Sequence, residues 1–162
     1  MRSICIISDT HGNIDNVKAI LPVINESEYL VLLGDRVGDL ASICREIKPE
    51  IIIVKGNCDY VNFFPEDYIL DWCGYRFLFT HGHRYGVKRD LLNLTYAAKE
   101  QGCHFAFYGH THVADSDEYM GIRLINPGSI SAPRLGNPSY CLVTEDKGEI
   151  FIKIIYICPK NC

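Results

Sequence analysis

The sequence predicts one α/β domain in which helices flank two packed β-sheets. In its first half, short β-branched runs alternate with helix-like stretches, which is typical of parallel βαβ units. In its second half, paired strand-like runs flank turn residues, which indicates hairpins. The chain has 162 residues, which is enough for one domain with a well-buried hydrophobic core and too few for two domains of typical size.

The first half contains three strand-like runs, at residues 3–8, 29–33 and 50–54. Helix-like stretches near 13–24 and 39–48 separate them, so we expect a βαβαβ order with parallel strands. Pro22 predicts an end or a kink in the first helix near Leu21, and Pro49 marks the end of the second helix.

The second half contains turn residues between strand-like runs. Cys73-Gly74, Gly121 and the turn at 146–148 each separate two such runs, so each predicts a hairpin. A helix-like stretch from about 87 to 101 and a short strand, HFAFY at 104–108, lie between the first two turns. We therefore expect a parallel half, then a largely antiparallel half, with the sheets packed together and the helices outside.

The composition excludes several classes of protein. Apolar residues make up 48% and charged residues 22%, which is close to the average for globular proteins. The longest apolar runs, such as 4–7 and 51–54, are far shorter than the roughly 20 residues of a membrane-spanning helix, so we expect no membrane partner. The net charge of −4 argues against a broad nucleic-acid-binding face. The N-terminus lacks the features of a secretory signal, which predicts a cytoplasmic location.

The eight cysteines are scattered and form no CxxC pair. In a cytoplasmic chain they are expected to be reduced thiols, most of them small core residues such as Cys5 and Cys141. The C-terminal CPKNC, residues 158–162, belongs to no motif. Fraying of this tail and a contact within a homodimer both stay open.

Side chains that can bind metal ions follow the predicted strands. The carboxyl ends of parallel strands gather at one edge of a sheet, where ligands bind, so we expect these side chains to converge. There are seven of them: Asp9, His11, Asp35, Asn57, His81, His110 and His112.

Taken singly, these residues have ordinary explanations. Asp9 could cap the helix that follows it, and the Gly-Asp pair at 34–35 is a common turn. Five strand ends that all carry such side chains favour a metal site instead. Carboxylate, amide and imidazole ligands suit divalent transition-metal ions such as Mn, Ni, Fe, Co or Zn. Seven ligands fit two ions about 3.5 to 4 Å apart that are bridged by a carboxylate.

With these motifs the chain resembles the calcineurin-like metallophosphoesterases, in particular their small bacterial and archaeal phosphodiesterase branch. The motifs are DTH at 9–11, GD at 34–35, GNCD at 56–59, HGH at 81–83 and GHTH at 109–112. The resemblance extends to NPGS at 126–129. It implies an α/β fold, a four-layer αββα sandwich of two mixed β-sheets flanked by helices, with a site for two metal ions.

The resemblance also implies roles for these residues. One ion is held by Asp9, His11, Asp35 and His112, and the other by Asp35, Asn57, His81 and His110. Asp35 bridges the two ions, and the catalytic set is Asp35, Asn57, His81 and His110. The implied reaction is hydrolysis of a small phosphodiester by in-line attack of a hydroxide that bridges both ions.

Cys58 stands where the wider family commonly has a histidine that contacts the phosphoryl group or protonates the leaving oxygen. A thiol is a weak donor and replaces a cationic histidine poorly. We therefore expect Cys58 to line the substrate pocket with Asn57, and we expect a preference for phosphodiesters over phosphomonoesters. His83, two residues beyond a metal ligand, is either a substrate contact or a surface-loop histidine.

Two other functions stay open. One is a phosphomonoesterase or nucleotidase of the same fold, against which Cys58 argues. The other is a non-catalytic protein-binding scaffold like the retromer subunit, in which degraded metal ligands accompany protein binding. The intact ligand types argue against the scaffold. The natural substrate and the native metal are beyond the sequence.

Overall fold

The first of two five-stranded sheets is built around the N-terminal strand. The computed structural model describes residues 2–60 and 63–158. The strand order of this sheet is β10-β9-β1-β2-β3, in which β1, β2 and β3 are parallel and β9 and β10 are antiparallel to their neighbours. Their bounds are Arg2–Ile7 (β1), Tyr29–Leu32 (β2), Glu50–Ile53 (β3), Ser139–Asp146 (β9) and Glu149–Tyr156 (β10).

The second sheet has the strand order β4-β5-β6-β8-β7. Its central strands β5, β6 and β8 are parallel, and the edge strands β4 and β7 are antiparallel to their neighbours. The bounds are Asp67–Trp72 (β4), Tyr75–Thr80 (β5), Phe105–Phe107 (β6), Ala114–Tyr119 (β7) and Ile122–Pro127 (β8).

The helices lie between the strands along the chain. Helices α1 (Asp15–Ala19) and α2 (Leu21–Glu26) follow β1, and α3 (Leu92–Glu100) precedes β6. The predicted break near Pro22 is confirmed, since Ile20 separates α1 from α2. No helix in the described ranges is long and apolar enough to cross a membrane.

Two predicted helices differ from the structure. The second is a 3₁₀ helix, Val37–Glu46, rather than an α-helix over 39–48. The third begins at Leu92 rather than near residue 87, because a short 3₁₀ helix at His83–Tyr85 ends at Gly86, whose φ is +68°. The Asp90 side chain accepts a hydrogen bond from the Leu92 amide and so fixes the later start.

The predicted parallel first half and the three predicted hairpins are confirmed, since β1, β2 and β3 are parallel and β4-β5, β7-β8 and β9-β10 are antiparallel pairs. The expected division of the chain into a parallel and a largely antiparallel half is wrong in two respects. Strands β9 and β10 form the expected hairpin, but β9 pairs with β1 and extends the first sheet. The second sheet has a parallel centre because α3 connects β5 to β6, and a crossover of this kind returns the chain to the same end of the sheet.

The four-layer αββα sandwich of two mixed sheets is confirmed. Side chains from the facing surfaces of the sheets, among them Ile6, Phe77 and Phe107, form one buried cluster. The outer face of the first sheet packs against α1, α2 and the longer 3₁₀ helix, and the outer face of the second sheet packs against α3. Cys5 and Cys141 are buried thiols, as predicted. This packing places the loops that follow five of the strands next to one another.

Candidate metal centre

The loops after β1, β2, β3, β5 and β6 bring all seven predicted ligand residues together. Five of these residues have a left-handed backbone, which is uncommon outside glycine and concentrates at functional sites. They are Asp9, His11, Asp35, His110 and His112, with φ between +45° and +66°. Such a backbone turns each side chain sharply away from the direction of its strand and into the space between the loops.

The first group of ligand atoms surrounds the Asp9 carboxylate. Its Oδ1 lies 3.2 Å from Nε2 of His112. Nε2 of His11 lies 3.1 Å from the same His112 nitrogen and 3.6 Å from Oδ2 of Asp35. One atom from each of these four side chains lies within 4.8 Å of every other, so all four can face a single ion.

The second group surrounds Nε2 of His81. This nitrogen lies 3.4 Å from Oδ1 of Asp35, 3.2 Å from Oδ1 of Asn57 and 3.1 Å from Nδ1 of His110. Asp35 therefore presents Oδ2 to the first group and Oδ1 to the second. This is the arrangement expected of a carboxylate that bridges two ions.

Backbone carbonyls orient two of the histidine rings. Nδ1 of His81 lies 2.7 Å from the Leu33 carbonyl, and Nδ1 of His112 lies 2.8 Å from the Ala132 carbonyl. Each Nδ1–H donates to its carbonyl, which leaves the Nε2 lone pair directed at the centre. A metal-binding histidine is typically held by a second hydrogen bond of this kind.

The NPGS segment supports the Asp9 loop and the His110 loop. The Ser129 hydroxyl donates to the Asp9 carbonyl at 2.7 Å, and the Asn126 amide donates to the Gly109 carbonyl at 2.9 Å. The resemblance included this segment in its motif without giving it a role. The structure shows that it holds two of the ligand loops in place.

Two further carboxylates tie loops together. Asp59 accepts hydrogen bonds from the amides of Arg36, Val37 and Gly56, and so joins the loop after β2 to the loop after β3. Asp39 accepts from the Gly12 amide and joins the longer 3₁₀ helix to the loop after β1. Sequence reasoning missed Asp39. Asp39 belongs to the second Gly-Asp pair of GDRVGD, which is the sequence feature that could have identified it. Unlike the first pair, this one does not directly follow a strand.

The two carboxylates stay ionised because histidines face them. Burial alone would raise the pKa of Asp35, but the hydrogen bond and positive charge of His81 outweigh burial and lower it to about 2. In the same way, burial would raise the pKa of Asp9, and His11 and His112 hold it well below its usual range.

The pKa values of the histidines at this centre are shifted in opposite directions. The Asp9 carboxylate beside it raises the pKa of His112, and the Asp35 and Asp9 carboxylates raise the pKa of His81 against the effect of its burial. Burial and the charge of His81 lower the pKa of His110 to about 4. In the absence of a metal ion, protons therefore occupy His81 and His112 in preference to His110.

The residues at this centre fit a pair of divalent cations. Oδ1 of Asp9 is buried and accepts no hydrogen bond from the part of the chain that the structure describes. An unsatisfied buried carboxylate oxygen is costly, and a cation would satisfy it. The donors are two carboxylates, one amide oxygen and four imidazoles, a set that suits borderline divalent transition metals.

Cys58 and His83 flank the second group. The Cys58 amide donates to Oδ1 of Asp35 at 2.9 Å, and its half-buried sulfur lies 3.4 Å from the Asn57 amide nitrogen. Burial and the nearby Asp35 carboxylate raise the pKa of the Cys58 thiol. The His83 ring lies 5.4 Å from the His81 ring and 6.1 Å from the His110 ring, centroid to centroid, with its Nε2 3.7 Å from Glu66.

A four-layer αββα sandwich with two groups of metal-binding side chains at its strand ends is the arrangement expected of a metal-dependent phosphoesterase. The family model described as "Calcineurin-like phosphoesterase superfamily domain" matches residues 1–148 of this chain. The chain therefore belongs to this family.

Relatives in two bacteria agree with this assignment. The probable metallophosphoesterase YsnB of Bacillus subtilis is 35% identical over 143 residues, which cover 88% of this chain and 83% of YsnB. The phosphodiesterase YfcE of Escherichia coli K12 is 28% identical, and the match covers 90% of this chain and 89% of YfcE.

Solved structures share the fold. A predicted phosphoesterase from Streptococcus pneumoniae has a TM-score of 0.79 and 25% identity, and the match covers 96% of this chain and 89% of that protein. Vps29 of Entamoeba histolytica, solved in complex with Zn²⁺, has a TM-score of 0.75 and 20% identity, with coverage of 95% and 98%. The likeness to Vps29 is one of fold.

Proposed function

We propose that this protein is a phosphodiesterase that uses two divalent metal ions to hydrolyse small phosphodiesters. The observation that carries the proposal is the position of Asp35, whose two oxygens face two separate groups of ligand atoms. In this proposal, Asp9, His11 and His112 complete the first group. Asn57, His81 and His110 complete the second.

Bound at this centre, two divalent ions would attract the phosphoryl oxygens and lower the pKa of a shared water, which is the chemistry of in-line hydrolysis. The chain prepares the site for that chemistry. Its carboxylates are ionised over a wide pH range, and its histidine rings are held with Nε2 or Nδ1 toward the centre. Asn57 supplies a neutral oxygen, so it adds no negative charge that would repel the substrate.

Cys58 favours a phosphodiester as the substrate. A phosphomonoester dianion gains more from an additional cation than a diester monoanion does, and Cys58 stands where the wider family has a histidine. A thiol carries no positive charge in either protonation state, so Cys58 cannot supply the cation that a histidine would. In the metal-free chain, burial and the Asp35 carboxylate raise the pKa of this thiol, which disfavours a thiolate nucleophile. The backbone amide of Cys58 donates a hydrogen bond to Oδ1 of Asp35 and so orients that carboxylate.

We assign His83 to the rim of the substrate pocket. The centroid of its ring lies 6.1 Å from that of the His110 ring, and its Nε2 lies 3.7 Å from Oε2 of Glu66. Glu66 is itself paired with Lys55, whose Nζ lies 3.1 Å from Oε1 of Glu66. Nδ1 of His83 has no hydrogen-bond partner among the described residues, so this ring can donate a hydrogen bond to a substrate oxygen.

The test joins a metal count to an assay. The protein is loaded with Mn²⁺ or Ni²⁺, the ions per chain are counted by mass spectrometry, and an aryl phosphodiester and the matching monoester are offered. The proposal requires two ions per chain and faster turnover of the diester. Two ions with faster turnover of the monoester would identify a phosphomonoesterase instead. Failure to bind metal and to turn over either ester would favour the protein-binding scaffold.

A further inference from the structure

Strand β10 forms an open edge of the first sheet. It pairs with β9 on one side, and no strand of the described ranges pairs with its other side. Its eight residues, EIFIKIIY, contain six apolar side chains and no proline. A long apolar edge strand is a ready template for pairing with another strand, and soluble proteins usually protect such an edge.

The hairpin geometry determines which backbone groups of β10 are free. A two-residue loop, Lys147-Gly148, joins β9 to β10, and the register continues without interruption from Glu149 opposite Asp146 to Tyr156 opposite Ser139. The Ile157 amide donates to the Pro138 carbonyl at 2.7 Å, so the odd-numbered residues bond to β9. The amides and carbonyls of Ile150, Ile152 and Ile154 therefore point outward from the sheet.

The two faces of β10 differ in character. Ile150, Ile152 and Ile154 are half-buried against the cluster between the two sheets, and they form its margin along the open edge. On the opposite face, Phe151 is 52% exposed and stands between the exposed side chains of Glu149 and Lys153.

We propose that β10 pairs with β10 of a second copy of this chain, antiparallel, about a two-fold axis at Phe151. This register places each outward-facing Ile150 opposite Ile152 of the other copy, so their free backbone groups bond across the interface. It places Phe151 opposite its own counterpart, in the pair type whose side chains come closest. The two sheets then join into one ten-stranded sheet.

Charge complementarity favours this register and a second copy as the occupant. With the axis at Phe151, Glu149 of each copy lies opposite Lys153 of the other. This gives two ion pairs, one on each side of the Phe151 pair. An axis at Lys153 would place the two lysines opposite each other. An axis at Ile152 would leave both charges opposite apolar residues. The self-complementary pattern Glu-x-Phe-x-Lys therefore suits a partner with the same sequence.

The pairing is tested by sedimentation velocity from low to high micromolar concentration in a reducing buffer, which excludes dimers linked through Cys158. The expected result is a concentration-dependent dimer. Glu149→Lys and Lys153→Glu, each alone, place like charges opposite each other and should weaken the dimer about tenfold. An equimolar mixture of the two variants, and the double variant E149K/K153E, should restore it.

The matched control is Glu118→Lys, the same change on an exposed residue of β7, which is an edge strand of the other sheet; it should leave the dimer unchanged. Hydrogen exchange gives a second measurement, in which the amides of Ile150 and Ile152, which bond across the interface in this register, should lose protection on dilution. A monomer at every concentration would overturn the proposal, as would a dimer that neither single variant weakens. Protection that persists in a monomer would also overturn it.

Discussion

Nε2 of His81 and Nδ1 of His110 lie 3.1 Å apart and face each other across the second ligand group. Nδ1–H of His81 donates to the Leu33 carbonyl, so Nε2 is the nitrogen that faces its neighbour and that binds either a proton or a metal ion. Two such nitrogens can share a proton or a metal ion. Proton binding and metal binding at this centre are therefore competitive.

Metal affinity should fall as the pH falls. In the metal-free protein the pKa values of His81 and His112 are raised above the ordinary value of a histidine, so both rings hold protons into the neutral range. An ion needs the neutral ring and must displace those protons. Asp9 and Asp35, whose pKa values are lowered, remain ionised and add nothing to this dependence.

Calorimetry should therefore give an affinity for Mn²⁺ that is roughly tenfold or more weaker at pH about 6 than at pH about 8, with proton release on binding. His104→Gln is the matched control and should leave the pH dependence unchanged. His104 lies outside the centre, where its Nδ1 accepts a hydrogen bond from the Arg76 amide. An affinity that is constant across this range would contradict the competition between protons and the metal ion for His81 and His112.

Asp35→Asn should remove the bridge while keeping the size of the side chain. One negative charge shared between two cations is lost, so we expect fewer than two ions per chain and a fall in kcat of at least about 1000-fold. Mass spectrometry of the loaded protein and a diester assay measure the two effects. Asp146→Asn, on an exposed residue at the end of β9, should change neither. Full activity in the Asp35 variant would refute its assignment as the bridge.

Gly109→Ala should displace Asp9. A Cβ at position 109 would collide with the Ser8 hydroxyl and would lie 2.9 Å from Oδ2 of Asp9, in a part of the protein that is fully buried. Overpacking of this kind costs about 1–3 kcal/mol, so thermal unfolding should occur at a lower temperature and metal affinity should fall. Gly38→Ala is the control, because a Cβ there would meet no atom within 4 Å. Equal stability of the two variants would show that the Asp9 loop moves to accept the added methyl group without a measurable cost in stability.

Much of this centre could be predicted from the sequence because its information is local. Each candidate ligand follows a strand whose β-branched or aromatic composition is itself a strong signal, and the parallel strands of one sheet end at the same edge. The pairing partner of β9 could not be predicted, since β1 lies far away in sequence and the choice depends on tertiary packing. Asp39 was missed for a similar reason, because its role depends on a contact with the distant Gly12 amide.

Cys58→His should shift the preference of the enzyme toward phosphomonoesters. The substitution places an imidazole beside Asp35, where it can protonate a leaving oxygen or hold the additional charge of a monoester. The Cys58 amide, which donates to Asp35, is retained, so metal binding should be unchanged. We expect the ratio of monoester to diester kcat/KM to rise roughly tenfold or more, since a positioned acid typically contributes more than that. Cys58→Ser, which keeps a small neutral side chain, is the control and should leave the ratio near that of the native protein. An equal ratio in the native protein and the histidine variant, with two ions bound in each, would show that the diester preference does not depend on Cys58.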